Sequence, residues 1–349
     1  MSRVEQLSAR ERRVLEAVIQ TYVQTAEPAG SRTVSRHFGL GVSPATIRNT
    51  MSDLEEKGFL FHPHTSAGRV PTNKAYRAYV DALLSSTPVA PSVDRDRLAE
   101  ALTASDSPIE TILRRAAQSL GILTQELGVA MGPRLATSIL RSLDLVRMSD
   151  ERLLMVLALE GGAVRTVFVE VAGSIAESAL AQVTKALNER LGGLTLEEIR
   201  SSLGARLRDS VTVPDARELL NIFVQEAEAL FDEKISLGEE NVVLGQASVL
   251  AEQPEFAEAG RMRRLIELTE RPQALAEALR RRGETSGISI TIGAEHHDER
   301  LRDFTVVTAE YHTGSLAGVI GVIGPTRMPY EKVISLVNHT SQLLSELLD

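Results

Sequence analysis

Apolar side chains return every three or four positions over Val14, Leu15, Val18, Ile19, Tyr22 and Val23. That is the spacing of one helix face. Ser8 and Glu11 have the form of a capping box at its start, so a helix is predicted from about Ala9 to Gln24. Glu27-Pro28-Ala29-Gly30 breaks it. A short helix follows over 31–38, with Val34 and Phe38 on one face, and Gly39-Leu40-Gly41 ends it because glycine accepts the left-handed cap. Ser43 followed by Pro44 is a strong start signal, and the next helix runs to Lys57, with Gly58 as its stop. Two helices on a tight glycine turn form a helix-turn-helix. Phe59-Leu60-Phe61 then predicts a strand, His62 to Gly68 a turn-rich tip, and Arg69-Val70 the returning strand. With the helix over 73–84, residues 1–84 are predicted to be a winged helix. Residues 85–105, with Pro88 and Pro91, are predicted to be a linker.

The remainder alternates between types. A helix is expected over 109–127, then strands near 139–147, 153–159 and 164–171, with Gly161-Gly162 as a hairpin turn. Helical patterns follow at 177–191, 196–207 and 216–233, then a short apolar piece at 241–244 and helices at 258–270 and 273–282. Strand patterns return at 288–292, 304–311 and 316–323 before a closing helix at 330–348. Strands, helices and strands again predict one antiparallel sheet domain interrupted by a helical insertion. The chain therefore reads as multidomain α+β, with the sheet domain in two parts (106–173 and 272–349) around an insertion at 174–271.

Composition narrows the chemistry. The 349 residues contain no cysteine, which removes disulfides, thiolate metal sites and thiol nucleophiles. No apolar run approaches the roughly 18 residues a membrane span needs. The opening Met1-Ser2-Arg3-Val4-Glu5-Gln6-Leu7 has no apolar core of a signal peptide. A cytoplasmic protein without a membrane partner is expected. The net charge of −9 argues against nucleic acid, but it is unevenly spread: residues 1–80 hold 11 Lys/Arg against 7 Asp/Glu. A basic head on an acidic body fits a small polyanion-binding module attached to something else. Aromatic residues are only 4% and Trp is absent, which disfavours a base-stacking platform.

The second motif helix then takes on chemical meaning. Ile47, Met51 and Leu54 should face the core, leaving Ala45, Arg48, Asn49 and Ser52 on the opposite side and Thr46 at its margin. That face is small and polar. A helix entering the major groove needs low bulk and side chains able to bond base edges twice, Arg to guanine and Asn to adenine. Ser43 at the N-terminus adds a place for a phosphate. Arg32 and Arg36, one turn apart on the preceding helix, are candidates for phosphate contacts, which position without specifying. His64, Ser66 and Arg69 around the ribbon tip are candidates for phosphate or minor-groove contact.

At these residues the sequence resembles the heat-inducible transcription repressor family HrcA. Three stretches carry the resemblance. They are Leu7-Ser8-Ala9-Arg10-Glu11 with Val14-Leu15; Pro28 to Arg32 continuing through Ser43 to Glu55; and Thr65 to Thr72 with Tyr76, Arg77, Tyr79, Val80 and Asp81. Weaker similarity extends through Gly245 to Phe256 and Gly318 to Met328, so nearly the whole chain is covered. Ala75 stands where the family pattern leads one to expect Gly. The resemblance implies a dimeric repressor on an inverted-repeat operator ahead of chaperone genes, released on heat stress. It also implies a winged helix, a GAF-like domain and a dimerisation domain inserted in the latter, with the chaperonin as modulator.

Other chemistry finds little support. Glu295-His296-His297-Asp298-Glu299 lacks the i, i+4 histidine pair of a zinc helix and reads as an exposed loop. Gly318 to Gly324 is no phosphate loop and reads as a buried strand. No catalytic constellation, metal site or cofactor site emerges, so no enzyme is expected. A second reading stays open, in which the GAF-like domain of a DNA-tethered sensor binds a small molecule.

Overall fold

The structure, a computed structural model, describes residues 7–64, 67–85, 91–102, 109–133, 138–160, 164–171, 173, 175–207, 214–225, 242–271, 273–281, 287–314 and 316–348. The chain divides into two compact units, one of residues 1–130, 242–310 and 320–343, the other of 131–241, 311–319 and 344–349.

The first unit opens with α1 (Ala9–Thr25), α2 (Ser31–Phe38) and α3 (Pro44–Glu56), then β1 (Leu60–Phe61), β2 (Val70–Pro71) and α4 (Asn73–Leu84). The helix limits follow local signals. Ser8 and Glu11 form the complete capping box of α1. Gly39 ends α2 at φ 52°, where a side chain would be strained. Ser43 Oγ accepts from Thr46 N at 3.1 Å at the head of α3. Strands β1 and β2 pair antiparallel, Leu60 opposite Pro71 and Phe61 opposite Val70. Val14, Val18, Ile19, Val34, Ile47, Leu54, Leu60, Tyr76 and Val80 are buried and make the head's core.

The linker expected over 85–105 contains a helix, α5 (Ser92–Leu102). Leu98 and Leu102, four apart, are both buried, and burial of that pair outweighs the otherwise polar composition. The helix expected over 109–127 ends earlier, as α6 (Ile109–Thr124), and gives way to β3 (Leu127–Met131). All five β3 residues are buried, so no alternation marked them as a strand. Gly128 is where β3 meets α6 most closely, because a Cβ there would strike the Ala117 carbonyl.

The largest departure is in the sheets. The three strands β4 (Leu140–Ser149), β5 (Arg152–Leu159) and β6 (Val164–Glu170) form their own antiparallel sheet. They do not join the later strands in one interrupted sheet. Their inward rows, such as Leu145–Met155–Val167, pack with α7 (Glu177–Leu191), α8 (Leu196–Arg206) and α9 (Pro214–Gln225) in a core including Val183, Leu187, Leu203 and Phe223. Asn188 on α7 bonds both backbone groups of Leu143, at 2.8 and 2.6 Å. The helices expected in the insertion thus cover the strands just before them, and residues 131–241 fall in the second compact unit together with 311–319 and 344–349. The part of the expected 216–233 helix beyond Gln225 lies outside the described residues.

The other sheet has the order β7 (Val242–Leu244), β3, β10 (Leu316–Pro325), β9 (Phe304–Thr313), β8 (Ile288–Ile292). Its inner strands β9 and β10 are buried on both faces, which explains the continuous apolar run of β10. The first unit also holds α10 (Ser248–Ala251), α11 (Ala259–Glu270) and α12 (Gln273–Arg281). The chain closes with α13 (Tyr330–Leu348). The expected exposed loop at Glu295 to Glu299 is partly tucked in: His296 is buried, and Glu295 is held by Arg77.

Candidate nucleic-acid interface

Helix α3 separates its two faces as its spacing predicts. Ile47, Thr50, Met51 and Leu54 are buried, which fixes the helix's rotation about its own axis. Ala45, Arg48 and Asn49 are exposed, and Thr46 and Ser52 partly so. The Ser43 hydroxyl is used in the cap, and it also lies 2.9 Å from Thr46 Oγ1. Thr50 turns its hydroxyl back to Thr46 O at 3.1 Å, so a polar side chain is buried without an unmet donor. The exposed strip therefore offers one guanidinium and one carboxamide beside small side chains, at a helix N-terminus that attracts anions.

The flanking residues divide. Arg32 and Arg36 are exposed on α2, and His64 is exposed at the ribbon tip. Ser66 lies outside the described residues. Arg69 is held inside the head. It is half-buried and paired with Glu55 at 2.7 Å, and its backbone exchanges two 2.9 Å bonds with Ala29. Its guanidinium ties the ribbon to α3, and a charge already matched by a carboxylate has little left for a phosphate.

A second internal pair braces the module. Lys57 Nζ, just past α3, donates to Glu11 Oε1 at 2.7 Å, and Ser8 N donates to Glu11 Oε2 at 2.7 Å. These bonds, the lysine's first, hold the Glu11 carboxyl down at about 2. Lys74 lies 4.4 Å from the centre of the Phe59 ring. Sequence reasoning missed Arg10 and Arg13, both exposed on α1. They line a cleft of about 290 Å³ with Leu40 and Val42 of the α2–α3 turn. The signal was the basic run Arg10, Arg12, Arg13, which the capping-box reading passed over.

Among the described residues, no group of three or more His, Asp or Glu is arranged to hold a metal, and no helix is long and apolar enough to cross a membrane. A small basic helical head with a paired ribbon, attached to an α+β body, defines the class of modular transcription regulators. The family model described as the HrcA protein C terminal domain matches residues 110–334. The heat-inducible transcription repressor HrcA of Chlorobium phaeobacteroides strain BS1 is 41% identical, over 98% of each chain. That of Geobacter sulfurreducens is 38% identical, again over 98% of each. A crystal structure described only as that of a hypothetical protein shares the fold, with a TM-score of 0.60 and 22% identity over 98% of this chain and 99% of that one. The chain belongs to the HrcA family of heat-inducible transcription repressors.

Proposed function

We propose that this protein represses heat-shock genes by binding operator DNA through residues 1–84 as a winged helix, with α3 in the major groove. The observation that carries this reading is the exposed strip of Ala45, Arg48 and Asn49 on a helix whose opposite side is locked into the core. Arg48 and Asn49 read base edges. Arg32 and Arg36 hold phosphates and set the register, assisted by Arg10 and Arg13. Two protomers present two such helices to successive major grooves of an inverted repeat, so operator symmetry mirrors dimer symmetry. The body is a GAF-like domain carrying an inserted dimerisation domain, the operators precede chaperone genes, and the chaperonin supports the active form until heat draws it away. Family membership supports these last points.

The test compares wild type, Arg48→Ala and Asn49→Ala by footprinting and titration on promoters of the host's chaperone genes and on a random duplex. Each substitution should cost about 1–3 kcal/mol on the operator and little on random DNA. Equal loss on both duplexes would show that these side chains do not read bases.

A further inference from the structure

The head is fastened to the body by partners more than 200 residues apart in sequence, within the same compact unit. On α4, Arg77 Nη2 donates to Ile290 O at 2.6 Å, and Nε donates to Glu295 Oε1 at 2.8 Å with a second bond to the other oxygen. One head side chain thus grips both β8 and the loop after it. The reverse grip comes from the body. Arg327 Nη1 donates to Val23 O at 2.7 Å, and its remaining nitrogens hold both oxygens of Glu255. Val23 lies in the last turn of α1, where carbonyls have lost their helical partners, and a cation there also meets the negative end of the helix dipole. Arg327 and Glu255 are 13% and 12% exposed, so this pair is shielded from solvent. The ring of Tyr76, next to Arg77, lies 5.7 Å from that of Tyr330, three residues past Arg327, and both are buried. Beside Arg77, the Asn73 side chain packs so closely on Gly293 that a Cβ there would collide with it.

Two bidentate arginines, one reaching from head to body and the other from body to head, together with a buried ring pair across the same junction, resist both hinging and twisting. A single contact would leave the head a pivot. We propose that Arg77 and Arg327 are positioning residues for DNA recognition, locking the head to the body so that the body sets the distance between the two recognition helices of a dimer. The inference rests on the DNA-binding reading for its consequence, but the lock itself does not. Rigid coupling concentrates the gain from a second half-site at one matched spacing, whereas a swinging head spreads a smaller gain over many.

The experiment has two arms on the full-length protein. The chain has no cysteine, so spin labels can be placed at Glu56→Cys on α3 and Glu299→Cys on the body, both exposed positions. Labelled chain is diluted with unlabelled chain to suppress distances between protomers. Wild-type clamps should give one narrow distance distribution. Arg77→Gln and Arg327→Gln should each broaden it, and the double variant most. Arg77 is only half-buried, so its variant keeps the test informative if loss of Arg327 unfolds the protein. In the second arm, operators with spacers lengthened by up to about 5 base pairs, half a turn, are titrated. The wild type's preference for its best spacing should fall by about tenfold in the clamp variants, with random-duplex binding unchanged. A wild-type distribution already broad, variants as narrow as wild type, or an unaltered spacing profile overturns the proposal. A wild type that ignores every palindrome sinks the DNA reading, and the distance measurement still judges the lock.

Discussion

Replacing Glu11 by Gln tests whether the Glu11–Lys57 pair braces the reading head. The carboxylate accepts from Lys57 Nζ and from Ser8 N, each at 2.7 Å. These bonds lower its pKa from 4.5 to about 2. A difference of that size corresponds to a ceiling of roughly 3 kcal/mol. The Lys57 side chain is 32% exposed, so solvent screens the pair, and about 1–2 kcal/mol is the expected cost of the substitution at pH 7. Because the folded-state pKa is depressed, the contribution is fully present above about 4.5 and is lost as pH falls through about 2. Amide hydrogen exchange in α1, at the buried Val18 and Ile19, reads this local stability directly. The gap between wild type and Glu11→Gln should hold steady from pH 7 to 5, narrow by pH 3 and close near pH 2. No gap at pH 7, or a gap of constant width down to pH 3, would refute the electrostatic account and leave shape alone as the role of Glu11.

Two further expectations concern the body. Glu126 is 2% exposed, and burial, only partly offset by Gln253 and Arg327 and reinforced by Glu255, raises its pKa well above the ordinary range. A raised carboxyl favours folding only while protonated, so wild type should lose stability as pH climbs above about 4.5; Glu126→Gln should add about 1–3 kcal/mol at pH 7 and flatten that decline in urea titrations. Gly128→Ala drives a methyl group into the Ala117 carbonyl. Backbone gives way poorly, so a loss of at least about 1–3 kcal/mol is expected, read as a lowered unfolding temperature.

The head was legible because its instructions are local. Ser8 with Glu11, Gly39, and Ser43 with Pro44 each act within a few residues of themselves, and α1 to α4 begin and end within a residue of where those signals put them. The exposed strip of α3 was legible for the same reason, since burying Ile47, Met51 and Leu54 fixes which residues face away. The sheets were not, because a strand's own sequence carries no address. The alternation of β5 shows that one face is covered, but not that α7 to α9 cover it. Strand β3 escaped notice because burial on every side erases the alternation. Arg69 illustrates the limit at the site. Its charge and place on the ribbon pointed outward, and only the fold brings Glu55 to meet it.

The same pairings change what the head's positive charge means. Of its basic residues, Lys57 is matched by Glu11, Arg69 by Glu55 and Arg77 by the body's Glu295. Those three act as internal fasteners, and a neutralised cation releases few counterions when a duplex arrives. Among the head's described residues, the exposed cations are Arg10, Arg12 and Arg13 at the start of α1, Arg32 and Arg36 on α2, Arg48 on α3 and Lys74 on α4. The exposed positive charge is therefore carried mostly by α1 to α3, with Lys74 on α4, and the ribbon contributes His64 in place of a guanidinium. Local sequence thus builds the reading surface, while ion pairs spanning up to 218 residues decide which of its charges remain for DNA and in what direction they face.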